Sequence, residues 1–273
     1  MNYKIGIVGL GLIGASIAKA TKAYTHNTVF GYDIDEKTME KAVSEGTIDR
    51  ELDIDSIPEM DLLLLAVNPS VAIKFVKENP NIKGILIDLC GIKQVVSDSI
   101  LPISKLRGFT YIGGHPMAGS QLGGYDNSSA DMFEGASMVL VPHEGNIPIW
   151  LYNYFLGLKF NLIKTTTDSD HDRVIAYTSQ LAHIVSNALV KSKTSMEHEG
   201  LSADSLKDLT RVATLDADMW TELFLGNKEN LSREVDYLIE ELEKYKDAID
   251  SDDEDELKRL LVEGVESKSK MYS

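Results

Sequence analysis

The sequence predicts an α/β protein in two parts: an N-terminal doubly wound, mostly parallel sheet over residues 1–165, and an all-helical C-terminal region over 166–273. Three observations carry this. Short runs rich in β-branched residues or leucine alternate with helical segments up to about residue 165. Those runs are apolar throughout, as strands covered on both faces are. From Asp168 onward no strand pattern survives, and apolar residues recur at helical spacing.

Seven strands are expected, at residues 5–9, 28–33, 62–67, 84–90, 110–115, 137–141 and 160–165. The longest apolar run, 62–67, is far too short to span a bilayer. The chain enters its first strand-like run without a charged leader segment or cleavage site, so the expected compartment is the cytoplasm. Cys90 is the single cysteine, which excludes intrachain disulfides and Cys-based metal clusters; no metal is expected. It closes an apolar strand and reads as a plain buried thiol. A formal charge of −16 repels nucleic acid and acidic membrane faces, so neither is an expected partner. An anionic ligand must therefore meet a local positive site. The acidic stretch 250–256 reads as a solvated turn between two helices.

The first strand ends in Gly9-Leu10-Gly11-Leu12-Ile13-Gly14 and runs into a helical stretch, 15–22. In a βαβ unit this spacing has a mechanism. Gly9 permits the tight turn, Gly11 lets the backbone approach a pyrophosphate, and Gly14 lets helix and strand pack closely, with Leu12 and Ile13 at the helix start. The second strand ends in Asp33, about 20 residues on, where a carboxylate can bind ribose hydroxyls. Asp35 and Glu36 follow and no arginine is near, which favours NAD over NADP in a Rossmann-type domain.

Two further segments carry polar residues in unexpected places. Gly113-Gly114-His115-Pro116 continues the fifth strand, and three more glycines follow by Gly124. Glycines that allow close approach, and a proline that stiffens the chain, would position His115 rather than merely expose it. On the helix from Asp170 to Leu189, Val174, Ile175, Leu181, Ile184, Val185 and Ala188 form a core stripe, while Ser179, His183 and Asn187 at i, i+4 and i+8 form a polar one. Such a polar stripe lines a wet cavity or packs on a polar neighbour. Arg211 stands among apolar and small residues in Leu209-Thr210-Arg211-Val212-Ala213, where an exposed face is an awkward reading and a carboxylate partner suits its fork.

Taken together, Gly9 to Gly14, the segment Gly113 to Gly119, the His171-Asp172 pair, His183, Thr210 to Ala213, Trp220 and Asn227 resemble the prephenate dehydrogenase family, over nearly the whole chain and in the right order. The resemblance implies an NAD-dependent enzyme of tyrosine biosynthesis that oxidatively decarboxylates prephenate to 4-hydroxyphenylpyruvate, and a homodimer built by the helical region. It also implies roles: His115 meets the ring hydroxyl, Arg211 and His183 hold carboxylates, and Ser120, Gln121 and Ser179 line the substrate pocket. Three departures stand out. Many relatives carry a serine where Asp88-Leu89-Cys90-Gly91-Ile92-Lys93 has Gly91, a histidine where Gln180 stands, and an acid where Gln121 stands. The missing hydroxyl at Gly91 is one that would assist the catalytic histidine. Two alternatives stay open: an arogenate dehydrogenase, and a non-catalytic NAD-binding sensor module.

The chemistry needs few residues. Prephenate has a hydroxyl on C4 of a cyclohexadiene ring, with a carboxylate and a pyruvyl group on C1. Hydride loss from C4, proton loss from the hydroxyl and loss of carbon dioxide make the ring aromatic without a metal. A neutral imidazole suits the proton.

Overall fold

The computed structural model describes residues 2–120 and 122–271. Its sheet contains β1 (Lys4–Val8), β2 (Thr28–Tyr32), β3 (Arg50–Glu51), β4 (Leu62–Leu65), β5 (Ile85–Asp88), β6 (Thr110–Pro116), β7 (Ser137–Pro142) and β8 (Leu162–Thr165), in the order β3-β2-β1-β4-β5-β6-β7-β8. Only the β6–β7 pair is antiparallel. The seven expected strands are present. β3 is the addition, a polar two-residue edge strand paired to Phe30 and Gly31, with no apolar pattern to betray it.

Helices α1 (Leu12–Tyr24), α2 (Glu36–Ser44), α3 (Pro69–Glu78), α4 (Gln94–Arg107) and α5 (Ile149–Gly157) cover the sheet. Successive strand residues point to opposite faces, so each strand feeds two cores. Ile5, Ile7, Leu62, Leu64 and Ile87 pack with Ile17 of α1 and Phe155 of α5. Val8, Leu63, Leu65 and Leu86 pack on the other face with Val76 of α3 and Val96 and Ile100 of α4. That double burial is why these strands read as unbroken apolar runs. The chain winds from β1 outward to β3, then returns to β4 and outward again, so the order reverses between β1 and β4. A ligand crevice belongs at the C-terminal ends of the strands flanking that reversal.

After β8 the described residues form helices joined by turns and contain no strand: α6 (Asp168–Ile175), a π-helical turn (Ala176–Leu181), α7 (Ala182–Leu189), a 3-10 turn (Lys193–Glu197), α8 (Asp204–Thr210), α9 (Ala217–Gly226), α10 (Lys228–Asp250) and α11 (Glu254–Met271). The wide π turn corrects the expected core stripe. It rotates the register, bringing Ala176 and Gln180 inward with Ile175 and Leu181, whereas Val174 is 44% exposed and Ala188 faces outward. The acidic turn lies where expected, between α10 and α11, with Asp252 in the left-handed region at φ 52. No described helix is long and apolar enough to cross a membrane.

Candidate active site

The glycine turn separates the three glycines by what surrounds them. Gly9 has φ +87, and a Cβ there would lie 2.5 Å from the Ala66 carbonyl oxygen. A Cβ at Gly14 would lie 1.8 Å from the Gly9 carbonyl oxygen, so no other residue lets α1 pack against the turn. Gly11 is the reverse case: nothing stands within 4 Å of a Cβ there. Its space is open for an approaching group, and no side chain caps the α1 N-terminus, where Leu12 and Ile13 begin the helix. This is a fit cradle for a pyrophosphate. Asp33, just past β2, accepts the Leu10 N–H (2.6 Å) and the Asp35 N–H (3.0 Å), which ties the carboxylate to the turn. Glu36, Glu40 and Glu51 line the same groove. Four carboxylates make it hostile to a 2′-phosphate and leave Asp33 suited to ribose hydroxyls.

His115 lies within β6, opposite Val139 of β7, at the same sheet edge as the ends of β1, β4 and β5. The Gly-Gly-His-Pro segment is thus strand, and its glycines serve close approach. A Cβ at Gly114 would meet Ile87 Cγ2 at 2.5 Å, and one at Gly113 would meet Lys93 Cδ at 3.0 Å. That Lys93 is wholly buried: its ammonium donates to the equally buried Asp88 and to the Gly114 carbonyl oxygen (2.6 Å), one residue before His115. Asp88 also accepts the Tyr111 hydroxyl (2.8 Å) and the Cys90 N–H (3.1 Å). Burial, then the Asp88 charge, pushes both the Tyr111 phenol and the Cys90 thiol well above their usual ranges, so neither ionises. Cys90 is the plain buried thiol the sequence suggests.

His115 Nδ1 lies 2.9 Å from His171 Nε2, and His171 Nδ1 lies 2.7 Å from Asp172 Oδ1. His171 and Asp172, in α6, are both buried, while His115 is half-buried. Burial first, then His171 and Lys93, holds the His115 imidazole well below the ordinary histidine value. At neutral pH it is a free base. His171 and Asp172 stand in the sequence only as part of a family resemblance; nothing local marks them as partners of a strand 56 residues earlier in the chain.

The helical residues form a looser group. His183 donates from Nδ1 to the Ser179 carbonyl oxygen (2.8 Å) and packs on Trp220 with ring centroids 4.0 Å apart and the planes tilted by 33°. Asn187 donates to the Ala213 carbonyl oxygen (3.0 Å), which ties α7 to the segment carrying Arg211. The polar stripe thus bonds partly within its own helix and partly to the Ala213 carbonyl oxygen. Arg211 caps α8 and is exposed, contrary to its expected enclosure, because α8 itself buries no residue. Ser179 is half-buried, and Ser120 lies in the exposed loop after β6, accepting the Leu122 N–H (3.3 Å). Gln121 lies outside the described residues. Gln180, by contrast, belongs to a dry knot: Asn227 donates to Gln180 and to the Asp172 carbonyl oxygen, both at 2.8 Å, and Gln180 donates to the Leu223 carbonyl oxygen (3.1 Å). This knot holds α6 against α9 and α10.

Residues 17–157 match the family model described as prephenate dehydrogenase, nucleotide-binding domain, and residues 167–263 match prephenate dehydrogenase, dimerization domain. The cyclohexadienyl dehydrogenase of Zymomonas mobilis is 31% identical over 271 residues, covering 93% of this chain and 90% of the relative. The prephenate dehydrogenase of Lactococcus lactis is 30% identical over 279 residues, covering 98% and 77%. Among solved structures, prephenate dehydrogenase from A. aeolicus in complex with hydroxyphenyl propionate and NAD+ shares the fold, with a TM-score of 0.81, 24% identity and 99% of each chain covered.

Proposed function

The chain belongs to the prephenate dehydrogenase family, and on that premise we propose that it catalyses the NAD-dependent oxidative decarboxylation of prephenate to 4-hydroxyphenylpyruvate, with His115 as proton acceptor. The observation that carries this is a half-buried histidine anchored in β6, on the same sheet edge as a glycine turn fit for a dinucleotide, in surroundings that disfavour its charged form. Bound NAD supplies the acceptor for the hydride leaving C4 of the ring. His115 takes the hydroxyl proton. As the bond from C1 to its carboxylate breaks, the electron pair enters the ring and carbon dioxide leaves. The resulting phenolate recovers the proton from His115, so no net proton is consumed. Arg211 and His183 hold the substrate's carboxylates, and Ser120, Gln121 and Ser179 line its pocket.

The chain divides between residues 165 and 166, in the link from β8 to α6, and works as a homodimer in the cytoplasm. Support for the dimer comes from the helical region itself: Leu242 and Ile249 of α10 are 58% and 59% exposed, and Val262 and Val265 of α11 are exposed as well. Light scattering should return twice the chain mass at micromolar concentration.

Following NADH formation tests the reaction. Prephenate should be turned over faster than arogenate, whose side chain brings an ammonium to a site built for anions. Arogenate turned over faster would reassign the substrate, and neither turned over would leave an NAD-binding module. Catalytic efficiency with NADP should fall well below that with NAD, because the Asp33 groove is lined with carboxylates.

A further inference from the structure

We propose that His171 and Asp172 are positioning residues that hold His115 in the one tautomer able to accept the substrate's hydroxyl proton. The proposal rests on the reading of His115 as proton acceptor, and it is derived by following hydrogens inward from the charged end.

Asp172 reaches out of α6 to the beginning of α4, where Oδ1 accepts the Lys93 N–H (2.8 Å) and Oδ2 the Gln94 N–H (2.9 Å). A carboxylate bonded to two backbone donors at a helix N-terminus is ionised and fixed in orientation. Ionised, it can only accept, so the His171 Nδ1 beside its Oδ1 carries a hydrogen. Neutral His171 then presents a bare Nε2. The facing His115 Nδ1, 2.9 Å away, must donate to it, and the remaining lone pair on His115 is at Nε2. With Nδ1 already engaged, Nε2 is the nitrogen left for the substrate. The two rings are tilted by 58° with centroids 5.1 Å apart, so they do not stack face to face.

The chain of donors works in one direction only. If His171 were protonated, its Nε2–H would donate to His115 Nδ1. His115 would then carry its own hydrogen on Nε2 and could accept nothing from the substrate. Around the pair, Lys93 is ion-paired with Asp88, Asp172 bonds His171 directly, and Tyr111 and Cys90 stay neutral. When His115 takes the proton, its Nδ1–H still donates to His171, whose own Nδ1–H still donates to Asp172. The new positive charge thus faces an acceptor line that ends in a carboxylate. Gly91 offers no hydroxyl for this task, and a Cβ there would face Leu223, 3.4 Å away. In this chain the orientation of His115 is carried by α6.

The test reads the tautomer and the rate separately. In protein labelled with ¹⁵N-histidine, without cofactor or substrate, long-range ¹H–¹⁵N spectra should show His115 protonated at Nδ1 and bare at Nε2 near neutral pH. His171→Leu should release His115 into a mixture of tautomers. It should lower kcat by about tenfold or more, though by less than His115→Asn, since positioning cannot exceed what the base itself supplies. KM for NAD and for prephenate should hardly move. His171→Gln, whose amide oxygen can accept from Nδ1, should recover the Nδ1–H tautomer and part of kcat. Asp172→Asn should weaken the preference because an amide can donate to His171 Nδ1. Finding His115 protonated at Nε2 in the wild type, or unchanged kcat and tautomer in His171→Leu, would overturn the proposal. Failure to oxidise prephenate would sink the functional reading alone, since the spectra need no turnover.

Discussion

The sheet region encloses its own interior, with Ile5, Ile7, Leu62, Leu64 and Leu86 fully buried between layers of helix, whereas the apolar cluster of the helical region is Ala176, Leu181 and Leu231, with partly buried neighbours. The site inherits that difference. At its sheet end, His115 is fixed by β7, by the Lys93 bond to Gly114 and by His171. At its helical end, Arg211 is exposed on a short helix that buries nothing. On the proposed reading, proton transfer, which needs a geometry correct to fractions of an ångström, falls to the rigid half, and substrate capture, which needs an end that can open or be completed by another surface, falls to the looser half.

His115→Asn is the largest expected break in the rigid half. Removing the base should lower kcat by about 10² to 10⁴ with little change in KM, because the proton moves only in the transition state. Stopped-flow and steady-state rates on prephenate check this, and wild-type turnover by the variant would return the segment to a purely structural role. The wild-type rate should also rise with pH along an acid limb below the ordinary histidine value and stay level at neutral pH, since burial disfavours the charged imidazole.

What was legible in the sequence follows the same divide. Strands buried on both faces announce themselves as apolar runs, and Gly9 and Gly14 announce a turn because any Cβ there collides with backbone. β3 was silent, since an exposed Arg-Glu pair has no pattern. In the helical region a 3.6-residue wheel misplaced Val174 and Ala188, because no local signal marks the extra residue of the π turn. In α10, Leu231 is buried with Val235 and Leu238 packed beside it, while Leu242 and Ile249 lie open. Lys93, between Ile92 and Gln94, looks like any surface lysine until β5 and β6 close around it. The His171-Asp172 pair is likewise unreadable without the fold, because its partners come from β6 and from the start of α4.

A smaller effect is expected at the loose end. Arg211→Ala should raise KM for prephenate by about 10- to 10²-fold, the worth of a charge-assisted hydrogen bond, while kcat and NAD affinity stay close to wild type. A fall in kcat at unchanged KM would mean that Arg211 is coupled to the proton transfer, and that the two ends are not separable.

The last prediction separates the two histidines by the job each does. His115 must be bare at Nε2 to accept a proton. His183 donates its Nδ1–H to the Ser179 carbonyl oxygen, which can only accept, so Nε2 is the nitrogen left to face a ligand, on a ring whose centroid lies 4.0 Å from that of Trp220. If His183 holds a substrate carboxylate through Nε2, its work is binding and not proton transfer. His183→Asn should then raise KM for prephenate severalfold without lowering kcat or shifting its acid limb. A fall in kcat at unchanged KM, or an acid limb that moves in His183→Asn, would show that His183 does not serve as a substrate anchor and that the contrast between the two ends of the site is drawn in the wrong place.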